Sequence, residues 1–127
     1  VYDHIDGIMK IIYEGKIGAT YNIGGASSEV QNIQIVRKIC DLMDDFGIKH
    51  TDNIKSTDLI EFVHDRPGHD KRYAIDSSRI KNELNWSAKI DINQGLKDTV
   101  RWYLDNENWW QEILKTKSAL NRQGNLT

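Results

Sequence analysis

Apolar positions near the start of the chain recur at offsets of three and four. Ile5, Ile8, Met9 and Ile12 form one stripe, which predicts a helix from Asp3 to Glu14. Asp3 stands at the expected N-cap, where a carboxylate accepts an orphan backbone N–H. Gly15 and Gly18 end the helix and open a turn. The run Ala19-Thr20-Tyr21-Asn22-Ile23 predicts a strand stopped by Gly24-Gly25, followed by a loop from Ala26 to Gln31.

The helical period returns at Ile33 and holds to Phe46, with Asn32 as N-cap. Ile35, Val36, Ile39, Leu42, Met43 and Phe46 share one face, and Gly47 is the stop. Lys49 to Asp58 is polar and aperiodic and reads as a loop. Leu59–Val63 and Arg72–Ile75 read as short strands on either side of a charged loop around Pro67. Asp76 or Ser77 caps a short helix carrying Ile80 and Leu84, which Trp86 ends. After an extended link from Ile90 to Ile92, a helix from Asn93 to Asp105 turns Leu96, Val100, Tyr103 and Leu104 inward. A last helix over Glu107–Lys115 bears Trp109, Trp110, Ile113 and Leu114, and the polar tail from Thr116 frays. Helices and short strands mix without clean βαβ alternation. The expected class is α/β, as a mixed α+β fragment.

Composition narrows the function classes. The chain has 127 residues, 39% of them apolar, which is enough for a core of one domain or part of one. The net charge is −2, without the basic surplus of a general nucleic-acid binder. No apolar run approaches a membrane span, and no signal peptide is visible. With one cysteine, Cys40, the chain forms no internal disulfide and no multi-thiolate metal site. These features fit a cytoplasmic protein that engages neither nucleic acid nor membrane. Cys40 lies beside the apolar stripe of its helix and reads as a small buried hydrophobe.

The densest polar cluster is His64-Asp65-Arg66-Pro67-Gly68-His69-Asp70-Lys71-Arg72. Pro67 fixes one backbone angle and Gly68 lets a ligand approach closely. Arg66 can grip phosphate oxygens with two parallel hydrogen bonds, and His69 can add another. On the residues alone, a solvated charged turn is the competing reading. Asn32 likewise either caps its helix or points its amide at a ligand. His4 and His50 read as solvated, and no histidine spacing suggests a metal site. The tryptophans read as core or interface. No dinucleotide glycine fingerprint, P-loop, zinc helix or nucleophile elbow occurs. No tyrosine is followed four positions later by lysine, the pair that short-chain dehydrogenases use.

The order of segments resembles the C-terminal part of the dTDP-glucose 4,6-dehydratases, a family of extended short-chain dehydrogenases/reductases. The resemblance begins at Val1-Tyr2-Asp3-His4 and runs through Glu14-Gly15-Lys16-Ile17-Gly18, Tyr21-Asn22-Ile23-Gly24-Gly25, Asn32 and Ile39-Cys40-Asp41-Leu42. Its most specific piece is Asp65-Arg66-Pro67-Gly68-His69-Asp70, followed by Arg72-Tyr73-Ala74-Ile75-Asp76. Glu83-Leu84-Asn85-Trp86 and Thr99-Val100-Arg101-Trp102-Tyr103-Leu104 follow in the family's order; the tail matches poorly.

The resemblance implies enzymes of deoxysugar biosynthesis that convert dTDP-glucose to dTDP-4-keto-6-deoxyglucose and water with tightly held NAD. It places the cofactor cradle and the catalytic residues upstream of Val1, so this chain carries neither. It makes Asn32, Asp65, Arg66, Pro67, Gly68 and His69 contacts to the nucleotide sugar, with Arg66 on the diphosphate. Residues 1–25 are then the last helix and strand associated with an absent NAD-binding Rossmann domain, and residues 26–127 are the substrate-binding lobe. A parent enzyme would dimerise through the absent half. The chain alone is expected to be inactive and marginally folded, with one side of its first helix uncovered. A UDP-sugar epimerase or decarboxylase lobe and a stand-alone interaction module are the alternatives.

Overall fold

The computed structural model describes residues 1–25, 30–65, 67–70 and 72–115. Its elements are α1 (Tyr2–Glu14), α2 (Asn32–Asp45), two 3₁₀ turns (Thr51–Asn53 and Ser56–Leu59), α3 (Ser78–Leu84), α4 (Ile92–Asp105) and α5 (Glu107–Leu114). They fall into two compact units, Val1–Val30 with Arg72–Gly95, and Gln31–Lys71 with Leu96–Thr127. None of the described helices is long and apolar enough to cross a membrane.

The first unit is built on Ile80, Leu84 and Trp86, which are buried, with Ile11, Tyr21, Ile23 and Ala88 packed around them. α1 meets this core through Gly7 and Ile11, not through its apolar stripe. A Cβ on Gly7 would sit 3.0 Å from Trp86 Cζ2, so the absent side chain is what lets the indole approach the helix. The stripe lies on the far side: Ile5, Ile8, Met9 and Ile12 are 52%, 40%, 40% and 67% exposed. Asp3 does not cap α1. Val1 holds the N-cap, and the Asp3 carboxylate accepts N–H bonds from Lys89 (3.0 Å) and Ile90 (2.9 Å). Those two backbone donors outcompete the local ones because the core brings 89–90 to the start of the helix.

The strands expected at 19–23, 59–63 and 72–75 do not form among the described residues. A strand needs a neighbour to complete its ladder, and here side chains take the backbone groups instead. Asn22 Nδ2 donates to the Asp76 carbonyl (3.1 Å), and Arg79 Nη1 to the Thr20 carbonyl (3.1 Å). Arg79 also stacks 5.0 Å over the Tyr21 ring and bonds Glu83, which accepts the Tyr21 hydroxyl as well. Ser77 is the N-cap of α3 and makes no side-chain cap bond of its own; the Asp76 carboxylate, one residue before it, accepts the Ser78 N–H. Asn85, in the left-handed region at φ 51°, ends α3.

In the second unit α2 begins one residue earlier than its pattern predicts. Gln31 is the N-cap, its N–H bonded to Gln34 Oε1 (3.0 Å), and Asn32 is the first helical residue. The segment read as a featureless loop contains both 3₁₀ turns. The second is held by Ser56, 6% exposed, whose N–H and hydroxyl both donate to Asp44 Oδ1 (3.1 and 2.6 Å). His50 Nε2 lies 2.8 Å from the same hydroxyl. Since the hydroxyl proton points at Asp44, His50 donates, and it is half-buried rather than solvated. Arg101 of α4 lies 4.1 Å over the Phe46 ring at the end of α2. Val100 is buried, but Tyr103, expected inward, is 48% exposed. It packs edge-on to Trp102 (5.3 Å), which meets Trp109 of α5 at 5.1 Å. The Trp110 indole N–H bonds the Tyr103 carbonyl (2.9 Å) and pins α5 to α4. The tail from Thr116, expected to fray, and most of the loop after Gly25 lie outside the described residues.

Candidate functional site

The charged loop turns at Pro67 and Gly68. Gly68 sits at φ +70°, which a residue with a Cβ adopts only at a cost, and among the described residues no atom lies within 4 Å of where that Cβ would be. The reversal brings Asp65 and His69 together: His69 Nδ1 is 2.7 Å from Asp65 Oδ1. The His69 side chain is 32% exposed and that of Asp65 73%. Arg66, the residue chosen for the diphosphate, lies outside the described residues.

Asn32 is exposed at the start of α2 and borders a groove of about 580 Å³. One wall is the α2 face Ile33, Val36, Ile39, Cys40 and Met43; the other includes Leu59, Ile60 and Phe62. Asp65, Pro67, Gly68 and His69 are not among its lining residues. The described geometry thus pairs Asp65 with His69 and leaves Asn32 on a groove of its own.

His50 and Ser56 also line this groove, and sequence reading missed both. Their link to Asp44 spans 6 and 12 residues without periodicity, so no local signal announces it. The Ser56 hydroxyl, then its backbone N–H, hold the Asp44 carboxyl below its usual value. Burial, then the carboxylates of Asp44 and Asp41, push the Cys40 thiol up, against a nucleophilic role. Among the described residues, no cluster of His, Cys, Asp and Glu is arranged to hold a metal ion.

The first 99 residues match the family described as GDP-mannose 4,6 dehydratase. The chain belongs to that family. Asn32 and the loop from Asp65 to His69 both fall inside the matched part.

Individual relatives agree with the resemblance read from the motifs. The dTDP-glucose 4,6-dehydratase of Neisseria meningitidis serogroup B is 42% identical over 125 residues, covering 98% of this chain and 35% of its own length. That of Xanthomonas campestris pv. campestris is 44% identical over 124 residues, with the same coverage of 98% and 35%. The fold aligns with the dTDP-glucose 4,6-dehydratase of Bacillus anthracis in complex with NAD. There the TM-score is 0.71 and the identity 38%, over 88% of this chain and 32% of that one. DesIV, the dTDP-glucose 4,6-dehydratase of Streptomyces venezuelae with NAD and TYD bound, also aligns with a TM-score of 0.71. It is 33% identical over 88% of this chain and 31% of its own. The chain spans about a third of the length of these relatives.

In the glycine pair after Tyr21-Asn22-Ile23, Gly24 faces protein. Its Cβ would meet Ile75 Cγ2 and Ser77 Oγ at 3.4 Å.

Proposed function

We propose that this chain is the C-terminal, nucleotide-sugar-binding portion of a dTDP-glucose 4,6-dehydratase. The whole enzyme is a hydro-lyase that turns dTDP-glucose into dTDP-4-keto-6-deoxyglucose and water. NAD, held outside this chain, supplies the hydride acceptor when bound. The observation that carries the reading is the loop Asp65-Arg66-Pro67-Gly68-His69, whose reversal at Gly68 seats His69 on Asp65. Relatives above 40% identity over nearly the whole chain support it.

In this reading Arg66 grips the diphosphate with its planar, permanently charged fork, and His69 adds a hydrogen bond beside it. Asn32 contributes an amide contact from the start of α2. The unreactive dTDP half is thereby clamped. Binding energy far from the reacting carbons then orients the glucose for the steps performed by the rest of the enzyme.

Residues 1–25 belong with the Rossmann half of that enzyme and residues 26–127 with its substrate lobe. The enzyme is a cytoplasmic homodimer whose subunits meet through the NAD-binding half.

The deciding experiment is a dTDP titration of the purified chain, followed by NMR, with UDP as competitor. Shifts at His69 and Asn32 that saturate at lower dTDP than UDP are the expected result. Equal or stronger perturbation by UDP would turn the reading toward a UDP-sugar epimerase or decarboxylase. Incubation of the chain with NAD and dTDP-glucose is expected to yield no 4-keto sugar.

A further inference from the structure

The sequence motif does not say why a carboxylate should precede the arginine of the loop. We propose that Asp65 is a positioning residue, which holds the His69 ring with its proton on Nδ1 so that Nε2 is the atom presented to the nucleotide sugar. The proposal rests on the reading of this loop as the diphosphate end of the site. It adds what sets the hydrogen-bonding character of His69.

An ionised carboxylate only accepts hydrogen bonds, so the 2.7 Å contact between Asp65 Oδ1 and His69 Nδ1 places the proton on Nδ1. A free imidazole side chain prefers the opposite tautomer, with its proton on Nε2. Asp65 therefore selects the form that His69 would not adopt unaided. The backbone favours this arrangement: Pro67 restricts φ, and Gly68 at φ +70° reverses the chain so that two residues four apart face each other. With Nδ1 occupied, Nε2 remains for the ligand in both charge states. In the neutral ring it accepts from a sugar hydroxyl; in the cation it donates to a phosphate oxygen. Histidines that ligate a metal through one nitrogen are commonly oriented by a carboxylate on the other, and the Asp65–His69 contact has the same form. The competing reading is an exposed pair of no consequence for binding.

The test uses the full 15N-labelled chain. Long-range 15N–1H spectra at alkaline pH, where imidazoles are neutral, report the tautomer of each histidine; His69→Gln assigns the signal. Asp65→Asn preserves size but lets an amide donate to Nδ1, which permits the opposite tautomer. The expected result is an Nδ1–H ring in the wild type and an Nε2–H ring in Asp65→Asn. Loss of one well-aligned hydrogen bond, from a glucose hydroxyl to Nε2, should raise the dissociation constant for dTDP-glucose at that pH by about 3–10-fold, with the urea midpoint unchanged. An Nε2–H ring in a wild type that still binds dTDP would overturn the positioning role and leave the site standing. So would Asp65→Asn binding dTDP-glucose as tightly as the wild type. If dTDP perturbs no residue of the loop in the wild type, the site itself is wrong and this role falls with it.

Discussion

Trp86 Nε1 donates a 2.8 Å hydrogen bond to Asp6 Oδ2, joining residues 80 positions apart in the first unit. The indole is 5% exposed and lies flush against Gly7, one residue along the same helix. One side chain thus supplies both apolar mass to the core and a polar latch to α1. Trp86→Phe removes the latch and part of the ring, and should cost about 1–2 kcal/mol in urea unfolding. Gly7→Ala should also destabilise. Its Cβ would press on the indole at 3.0 Å. The overpacking of about 1–3 kcal/mol outweighs the ~1 kcal/mol that alanine gains in a helix.

Two carboxylates predict the acid limb of the stability curve. Asp3 is held below its ordinary value of 3.8 chiefly by the Ile90 N–H, with the Lys89 N–H adding to it. Asp44 is held below 3.8 by the Ser56 hydroxyl and N–H. A carboxylate with a depressed folded pKa binds its proton more weakly when folded. Its contribution is therefore complete above 3.8 and is lost as pH falls through the lower folded value. The urea midpoint should decline as pH drops below about 4–5. Asp3→Asn should flatten that decline. An unchanged acid limb in Asp3→Asn would show that the bonds to Lys89 and Ile90 do not form in solution.

Ser56→Ala tests the anchor of the second unit. It deprives the Asp44 carboxylate of a 2.6 Å bond and leaves the half-buried His50 without its acceptor. The cost should be about 1–3 kcal/mol. Thr57→Ala, next to it, should change stability far less.

Cys40 should react sluggishly. Its thiol is pushed up by burial first and then by Asp44 and Asp41. At neutral pH a disulfide reagent should modify it more slowly than a free cysteine derivative. Urea should abolish the difference, and Asp41→Asn should narrow it. A rate matching the free thiol in the native protein would place Cys40 in solvent.

Gly68→Ala separates binding from folding at the candidate site. Among the described residues no neighbouring atom resists the new methyl, so the cost comes from the left-handed backbone, about 1–2 kcal/mol for a residue with a Cβ. A surface loop can relieve that strain by unwinding. The expected outcome is weaker dTDP binding and loss of the Asp65–His69 contact, with little change in the unfolding midpoint. Unaltered dTDP affinity would show that binding does not need this turn.

The sequence by itself determined the helices, because the helical repeat is local and carries its own stop signals. α1, α2, α4 and α5 lie within a residue or two of where the pattern puts them. It also determined the family, since the order of short motifs survives without any coordinates. What those helices bury was a tertiary decision. The apolar stripe of α1 is exposed, and a glycine and Ile11 meet the core instead, because only Gly7 lets the Trp86 ring so close. Asp3 had the right place for a cap and went instead to the N–H groups of 89–90, brought near by packing. The strand patterns at 19–23 and 72–75 were real preferences for extended backbone. A ladder requires a partner, and that lies beyond any local pattern. The same division holds at the candidate site. Asp65 and His69 could be named from the motif, but their 2.7 Å contact depends on the left-handed turn at Gly68. The links from Ser56 to Asp44 and His50 were invisible, because hydrogen bonds across an aperiodic loop leave no period to read.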